Sequence, residues 1–204
     1  MAPYFETVKS FTDVPVTDAG VDTITFLEAA QGVVNLFDLL GSAAFAAVQN
    51  DLKSNIAKVR ARYDAVPDQS GTLELLVENE KGEKKRTATE GLLWLLRGLA
   101  FTCKALQIAQ ANKSTELSTA FSESYSATLK KYHNFVVKGV FAVAMKACPY
   151  RAAFFDKLAA DPAGGPPVPQ EKLDEELDKW LAALDSIATR LQTFYDSNDY
   201  GKGF

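Results

Sequence analysis

Residues Thr87 to Asn112 read TATEGLLWLLRGLAFTCKALQIAQAN, and the architecture follows from the pattern of this segment. Thr87-x-x-Glu90 has the form of a capping box, so a helix is predicted to open there and run to Asn112. At 100° per residue, Leu92, Leu96, Leu99, Cys103 and Leu106 fall on one side, and Trp94, Phe101, Ala105 and Ile108 on the other. A helix that is apolar on opposite sides lies between two layers. The expected architecture is therefore all-α, a two-layer helical sandwich with this helix between the layers.

The flanking sequence is helical as well. Upstream, a polar lead precedes a helix predicted over Thr23 to Leu40, with Gly41-Ser42 as a stop and restart. A second helix follows from Ala43 to Asp64 and ends at Val66-Pro67-Asp68. Thr72 to Asn79 alternates at Leu73, Leu75 and Val77 but not at Leu76, and is read as a short helix. Downstream, one long helix is predicted from Ser114 or Thr115 to Ala147, and another from Pro149, which suits a first helical turn, to Ala160. Asp161 to Pro169, with two Gly and four Pro, is a loop. The last helix carries Leu173, Leu177, Trp180, Leu181, Leu184, Ile187, Ala188, Leu191, Phe194 and Tyr195 on one stripe. Neither a strand pattern nor an internal repeat is visible.

With 204 residues, 47% of them hydrophobic, the chain reads as a single domain over residues 1–204 that can bury a core unaided. A net charge of −4 and the absence of any block of five basic residues argue against nucleic acid as a partner, because that affinity is mostly phosphate neutralisation. The longest uncharged stretch, Leu39 to Asn50, is 12 residues, short of the roughly 20 a membrane-spanning helix needs. Met1 to Ser10 has no secretory signal pattern, so a cytoplasmic protein is expected. Two isolated cysteines and one histidine supply neither a zinc cluster nor a disulfide framework. No metal or cofactor is expected. GxSxG, HExxH, Walker and GxGxxG motifs are all missing, and nothing supplies a nucleophile beside His133, so the chain is not read as an enzyme.

Two further helical faces stand out. With Asp51 at 0°, Asn55 lies at about 40°, Lys58 at about 340° and Arg62 at about 20°, beside an apolar group of Val48, Leu52, Ile56, Val59 and Tyr63. This polar stripe borders the apolar face instead of opposing it. The plain reading is an i,i+4 surface network; the functional one is a row of hydrogen-bonding groups along a pocket. His133 shares an arc with Leu129, Val136, Val137, Val140 and Ala144, which suits either a hydrogen-bonded core histidine or a ligand contact. Trp94 fits the core, yet its indole N–H suits the mouth of a pocket.

Asp51-Leu-Lys-Ser-Asn55-Ile-Ala-Lys58, Leu93-Trp94-Leu-Leu-Arg97-Gly98-Leu99 and Leu129-Lys-Lys-Tyr132-His133 resemble, in order and spacing, the signature segments of the glycolipid transfer protein family. Asp38-Leu-Leu-Gly41-Ser42 and Cys148-Pro149-Tyr150 agree with them. The likeness spans Phe26 to Phe155 and is greatest to fungal members. It implies a helical sandwich enclosing an apolar lipid pocket, and passive transfer of glycosphingolipids between membranes. By the same likeness, Asp51, Asn55, Lys58, Trp94 and Tyr200 would hold the sugar headgroup, and Asp51 and His133 the ceramide amide. The chains would lie among Phe37, Phe45, Val48, Phe101, Leu129, Val137, Phe141 and Phe154.

These roles make chemical sense. An amide offers one N–H and one C=O, and so asks for an acceptor and a donor. A hexose packs one face on an indole while its hydroxyls need several partners. Exposing some 25 chain carbons to water costs on the order of 20 kcal/mol at about 0.8 per methylene, so a carrier must keep them dry. A branch that binds phosphorylated ceramide places basic groups where Asn55 and Trp94 stand here, so these two residues favour sugar. A sphingolipid sensor or scaffold is the alternative role.

Membrane contact is expected to be transient, peripheral and reversible, by a monomer, through Phe135, Tyr150 and Phe155, with Lys146 as a minor electrostatic aid. Animal members carry Trp where Phe135 stands, and Phe lacks the indole N–H that suits the headgroup layer. At about 200° from His133 on the predicted helix, Phe135 turns away from the apolar face.

Overall fold

A computed structural model describes residues 4–41, 43–161 and 163–204; Ser42, part of the expected stop between two helices, and Pro162, in the expected loop, lie outside the described residues. The order of elements is α1 (Tyr4–Thr7), β1 (Val16–Thr17), β2 (Gly20–Val21), α2 (Thr23–Leu39), α3 (Ala46–Ala65), α4 (Leu73–Glu80), α5 (Thr87–Ala111), α6 (Leu117–Ala127), α7 (Phe135–Lys146), α8 (Arg151–Ala159) and α9 (Gln170–Ser197). Short 3-10 turns at Ala43–Phe45, Pro67–Gln69 and Lys130–Tyr132 join some of them.

The fold is all-α, and α5 is its axis. It packs against α3, α6 and α9, and both of its predicted apolar sides are covered: Leu92, Leu96, Leu99, Cys103 and Leu106 on one, Phe101 and Ala105 on the other. Trp94 and Ile108 stay partly accessible. The helix has the length and hydropathy of a membrane span, which the count of uncharged residues passed over, but most of it is buried against its neighbours. Along α9 the predicted stripe is buried from Leu173 to Tyr195, with Phe194 partly exposed.

The start of α5 corrects the capping-box reading. Thr87 does not cap; Glu80, buried at the end of α4, accepts hydrogen bonds from the backbone N–H groups of Ala88 (3.0 Å) and Thr89 (2.6 Å) and from the Thr89 hydroxyl (2.6 Å). A carboxylate delivered across the turn satisfies the orphan donors and meets the positive end of the helix dipole.

The long helix predicted from residue 114 to 147 is two helices. Between them the α-helix stops after Ala127, the chain makes the 3-10 turn, and it passes through His133 in an extended conformation (φ −95°, ψ 138°). Asn134 then caps α7, its side-chain oxygen accepting from the Val137 N–H at 3.0 Å. Asparagine at a cap competes with helix continuation, and periodicity alone does not register it. Likewise α8 begins at Arg151, not Pro149, where Glu116 accepts from the Arg151 N–H at 2.8 Å. A hairpin of two-residue strands, β1–β2, which no strand pattern in the sequence announces, is pinned by Glu74, which accepts from the Val21 N–H (2.8 Å) and from Arg190 Nε (2.9 Å).

Candidate functional site

The closest approach of two helices builds the site. Gly91 and Gly98 lie two turns apart on α5, and a methyl at either would collide with α3: 2.9 Å from Lys58 Cβ at Gly91, and 2.7 Å from Leu52 Cδ2 at Gly98. Two absent side chains let α3 lie against α5, which places the Asp51–Asn55–Lys58 stripe beside Trp94. The resulting cavity holds about 550 Å³. Asp51, Asn55, Lys58, Glu90, Trp94, Tyr132, His133 and Asn134 supply its polar and aromatic lining, and Val48, Leu52, Leu129, Val137, Val140 and Phe141 its apolar lining.

The polar stripe is ordered. Asn55, only 2% exposed, donates through Nδ2 to Asp51 Oδ2 (3.2 Å) and accepts from Lys58 Nζ at Oδ1 (3.2 Å). This chain fixes the amide orientation. Burial raises the Asp51 carboxyl above its ordinary pKa, while Lys58 pulls it back. His133 lines the same cavity from the α6–α7 connection, its ring nearly parallel to Trp94 (14°, centroids 6.1 Å) and packed on Phe141 at 4.7 Å. Burial lowers its pKa, with Lys138 and Arg97 adding to the effect, which favours the neutral imidazole over the charged one.

Sequence reasoning missed three contributors. Tyr132 lines the cavity and meets Trp94 edge-on at 6.2 Å. Arg97 supports both rings, its guanidinium 4.6 Å from the Trp94 ring and 3.8 Å from the Tyr132 ring. Both residues lie inside the quoted signature segments, so their sequence signal was present but unread. Glu90 adds a second carboxylate to the lining; its sequence spacing points to a helix cap and carries no signal of the cavity.

Other expected site residues separate. Tyr200 does not line the cavity; it is buried with Phe194 (5.1 Å) and Tyr195 (6.4 Å), and its carbonyl accepts from Arg86. Phe37, Phe45, Phe101 and Phe154 sit in the core and not in the cavity wall. An aromatic series nonetheless joins them to it: Phe37, Phe45, Phe121, Phe101 and Phe141 follow one another at 5.5 to 6.0 Å, and Phe141 touches His133. Phe154 packs instead against Phe155 at 5.7 Å.

The outer surface divides the membrane candidates. Phe135 is 89% and Tyr150 80% exposed, and Val136 and Val143 add to this apolar surface on α7. Phe155 is buried at 3% exposure beneath the Arg151 guanidinium, which removes it as a contact. The helical-wheel argument for Phe135 fails, because His133 is not on the helix, although Phe135 does face solvent. Charge also gathers here. From Ser124 to Phe155 the chain has Lys130, Lys131, Lys138, Lys146 and Arg151 and no acidic residue. These lysines are interleaved with apolar residues, which a search for consecutive basic residues passes over.

A family profile described as Glycolipid transfer protein (GLTP) matches residues 21–160, two thirds of the chain and all of the cavity. The chain belongs to the glycolipid transfer protein family. The "Glycolipid transfer protein" of Aureobasidium melanogenum is 44% identical over 197 residues, covering 96% of this chain and 94% of that one. The human pleckstrin homology domain-containing family A member 8 is 33% identical over 203 residues, of which the match takes 95% of this chain but 38% of the larger protein. Among solved structures, the fungal glycolipid transfer protein HET-C2 superimposes with a TM-score of 0.87 at 43% identity, covering 95% of this chain and 96% of that one. The structure titled "How FAPP2 Selects Simple Glycosphingolipids Using the GLTP-fold" follows at 0.86 and 32%, covering 98% and 96%. Mouse ceramide-1-phosphate transfer protein shares the fold (0.85) at 22% identity, covering 98% of each chain. The two-layer helical sandwich of the family is thus the fold of this chain.

Proposed function

We propose that the protein binds a glycosphingolipid in this cavity and carries it between membranes without chemical reaction. The observation that carries the reading is the convergence of the Asp51–Asn55–Lys58 stripe, Trp94 and His133 on one cavity that also has an apolar wall of Val48, Leu52, Leu129, Val137, Val140 and Phe141. Asn55 and Lys58 offer hydroxyl partners, Trp94 offers a flat apolar face to a hexose, and Asp51 and His133 supply the acceptor and donor an amide needs. The chains enter by parting the aromatic series behind Phe141, which joins the cavity to Phe101, Phe45 and Phe37. Val48, Leu129 and Val137 belong to the apolar lining of the cavity itself.

The lining also favours sugar over phosphate. Asp51 and Glu90 place two carboxylates against one lysine, whereas a phosphate dianion calls for clustered cations. Docking uses the exposed Phe135 on α7 and the exposed Tyr150 before α8, with the exposed Lys130, Lys131 and Lys146 near them in the chain. In this reading the protein works as a cytoplasmic monomer that meets the membrane only transiently. The test is vesicle-to-vesicle transfer of ceramides bearing glucose, galactose, lactose or phosphate heads. Glycosylated ceramides move and phosphorylated ceramide does not; preferential movement of the phosphorylated lipid would overturn the reading, and tight binding without transfer would favour a sensor.

A further inference from the structure

Tyr125 stands in the last turn of α6 and is only 4% exposed. Its hydroxyl lies 3.1 Å from Nδ1 of His133. Both rings pack on Phe141, which stacks on Tyr125 at 4.9 Å and 15° and touches His133 at 4.7 Å. The helix that carries Tyr125 is itself fastened, because the neighbouring Ser124 hydroxyl donates to the Phe101 carbonyl on α5 at 2.6 Å. The contact joins two anchored groups, and it fixes which ring nitrogen can face the cavity. Nδ1 is occupied, so Nε2 is the nitrogen left for a ligand.

We propose that Tyr125 is a positioning residue for the lipid amide: its phenol O–H donates to Nδ1 of His133, which keeps the single imidazole proton on Nε2, ready to donate to the amide carbonyl. This inference rests on the ligand reading above. It follows from counting donors and acceptors. An ionised Asp51 can only accept, so it takes the amide N–H, and the amide carbonyl then needs a donor. With the proton on Nδ1 instead, Tyr125 would become the acceptor and Nε2 a bare lone pair. Two acceptors would then face the one amide N–H, and the carbonyl would go unserved. The doubly protonated ring could also donate, but burial and the cations Lys138 and Arg97 disfavour it. Burial likewise keeps Tyr125 a neutral phenol able to donate.

His133 is the chain's one histidine, so ¹⁵N-labelled histidine reports its two ring nitrogens without assignment. In the ligand-free protein at neutral pH, Nε2 is expected to be protonated and Nδ1 bare, and Tyr125→Phe to yield a mixture of tautomers. Tyr125→Phe should weaken glucosylceramide, galactosylceramide and lactosylceramide alike, by about tenfold for one lost hydrogen-bond arrangement. Binding of a long-chain alkyl glucoside, which has the sugar but no amide, should not move. A proton on Nδ1 in the wild type overturns the proposal. So does a Tyr125→Phe variant that loses both ligand classes equally, or one that loses neither. Failure of the wild type to bind any glycosylceramide would instead refute the ligand reading, and the nitrogen shifts would still decide where the proton sits.

Discussion

Replacing Gly91 with alanine tests whether the α3–α5 approach makes the site. The added Cβ would lie 2.9 Å from Lys58 Cβ, 3.0 Å from Lys58 Cδ and 3.3 Å from the Asn55 carbonyl oxygen. Carbon atoms rest at about 3.5 to 4.0 Å, so the two helices must part locally by roughly 0.5 to 1 Å. The lysine stem can move, but the Asn55 carbonyl belongs to the α3 backbone and cannot yield alone. Overpacking of this kind costs about 1 to 3 kcal/mol, and alanine in place of glycine within a helix returns about 1. Net destabilisation is therefore small, about 0 to 2 kcal/mol. Binding should suffer more, because Asn55 and Lys58 move away from Trp94. Loss of two sugar hydrogen bonds at about 1 kcal/mol each corresponds to a roughly thirtyfold weaker affinity. Urea unfolding gives the stability change and tryptophan fluorescence titration with glucosylceramide gives the affinity. Gly82→Ala, whose Cβ would meet nothing within 4 Å, serves as the control. A Gly91→Ala protein that binds like the wild type would refute the argument that this contact sets the geometry of the stripe.

Trp94→Ala should cut glycolipid transfer at least about tenfold with helicity unchanged, since the half-buried ring is a platform and not a core filler; circular dichroism falling in step with transfer would return Trp94 to the core. Asp51→Val and His133→Leu should each weaken all glycosylceramides, whereas Asn55→Ala should act on the sugar and spare an unglycosylated ceramide; sugar-dependent effects of Asp51→Val would remove that carboxylate from the amide. Because the folded-state pKa of Asp51 is raised, its proton favours the native state and that contribution is lost as pH rises through the raised value. Asp51→Asn should accordingly stabilise the protein at neutral pH while weakening binding, and wild-type affinity should fall on acidification before an ordinary aspartate would protonate; denaturant midpoints and titrations at several pH values check both. Phe135→Ala should reduce partitioning to neutral vesicles by about tenfold or more, given about 1.5 to 3 kcal/mol for burying a phenylalanine, with little salt dependence. Vesicles containing anionic lipid should bind more tightly and lose that excess as salt rises, and Lys130→Gln with Lys131→Gln should abolish the excess, as co-sedimentation would show.

The helical class, the central place of α5, the extent of α2 and α4, the apolar stripe of α9 and the polar stripe of α3 are legible in the sequence alone. Each is carried by a short-range period or a local stop signal, and a residue's place on a helix follows from its neighbours along the chain. Tyr200 and Phe155 lie apart from their expected places for the opposite reason: packing against Phe194 and beneath Arg151, which no local pattern encodes, buries both. The break at Asn134 was a choice between capping and continuing a helix, in which the tertiary environment of His133 took part. Glu80 reaching across a turn to cap α5, Gly91 and Gly98 admitting α3, and Tyr125 meeting His133 all join atoms that no periodicity relates. They depend on which helices touch and at what distance. The tertiary structure alone set that, because a hydrogen bond or a missing methyl acts over a few ångströms in space regardless of separation along the chain.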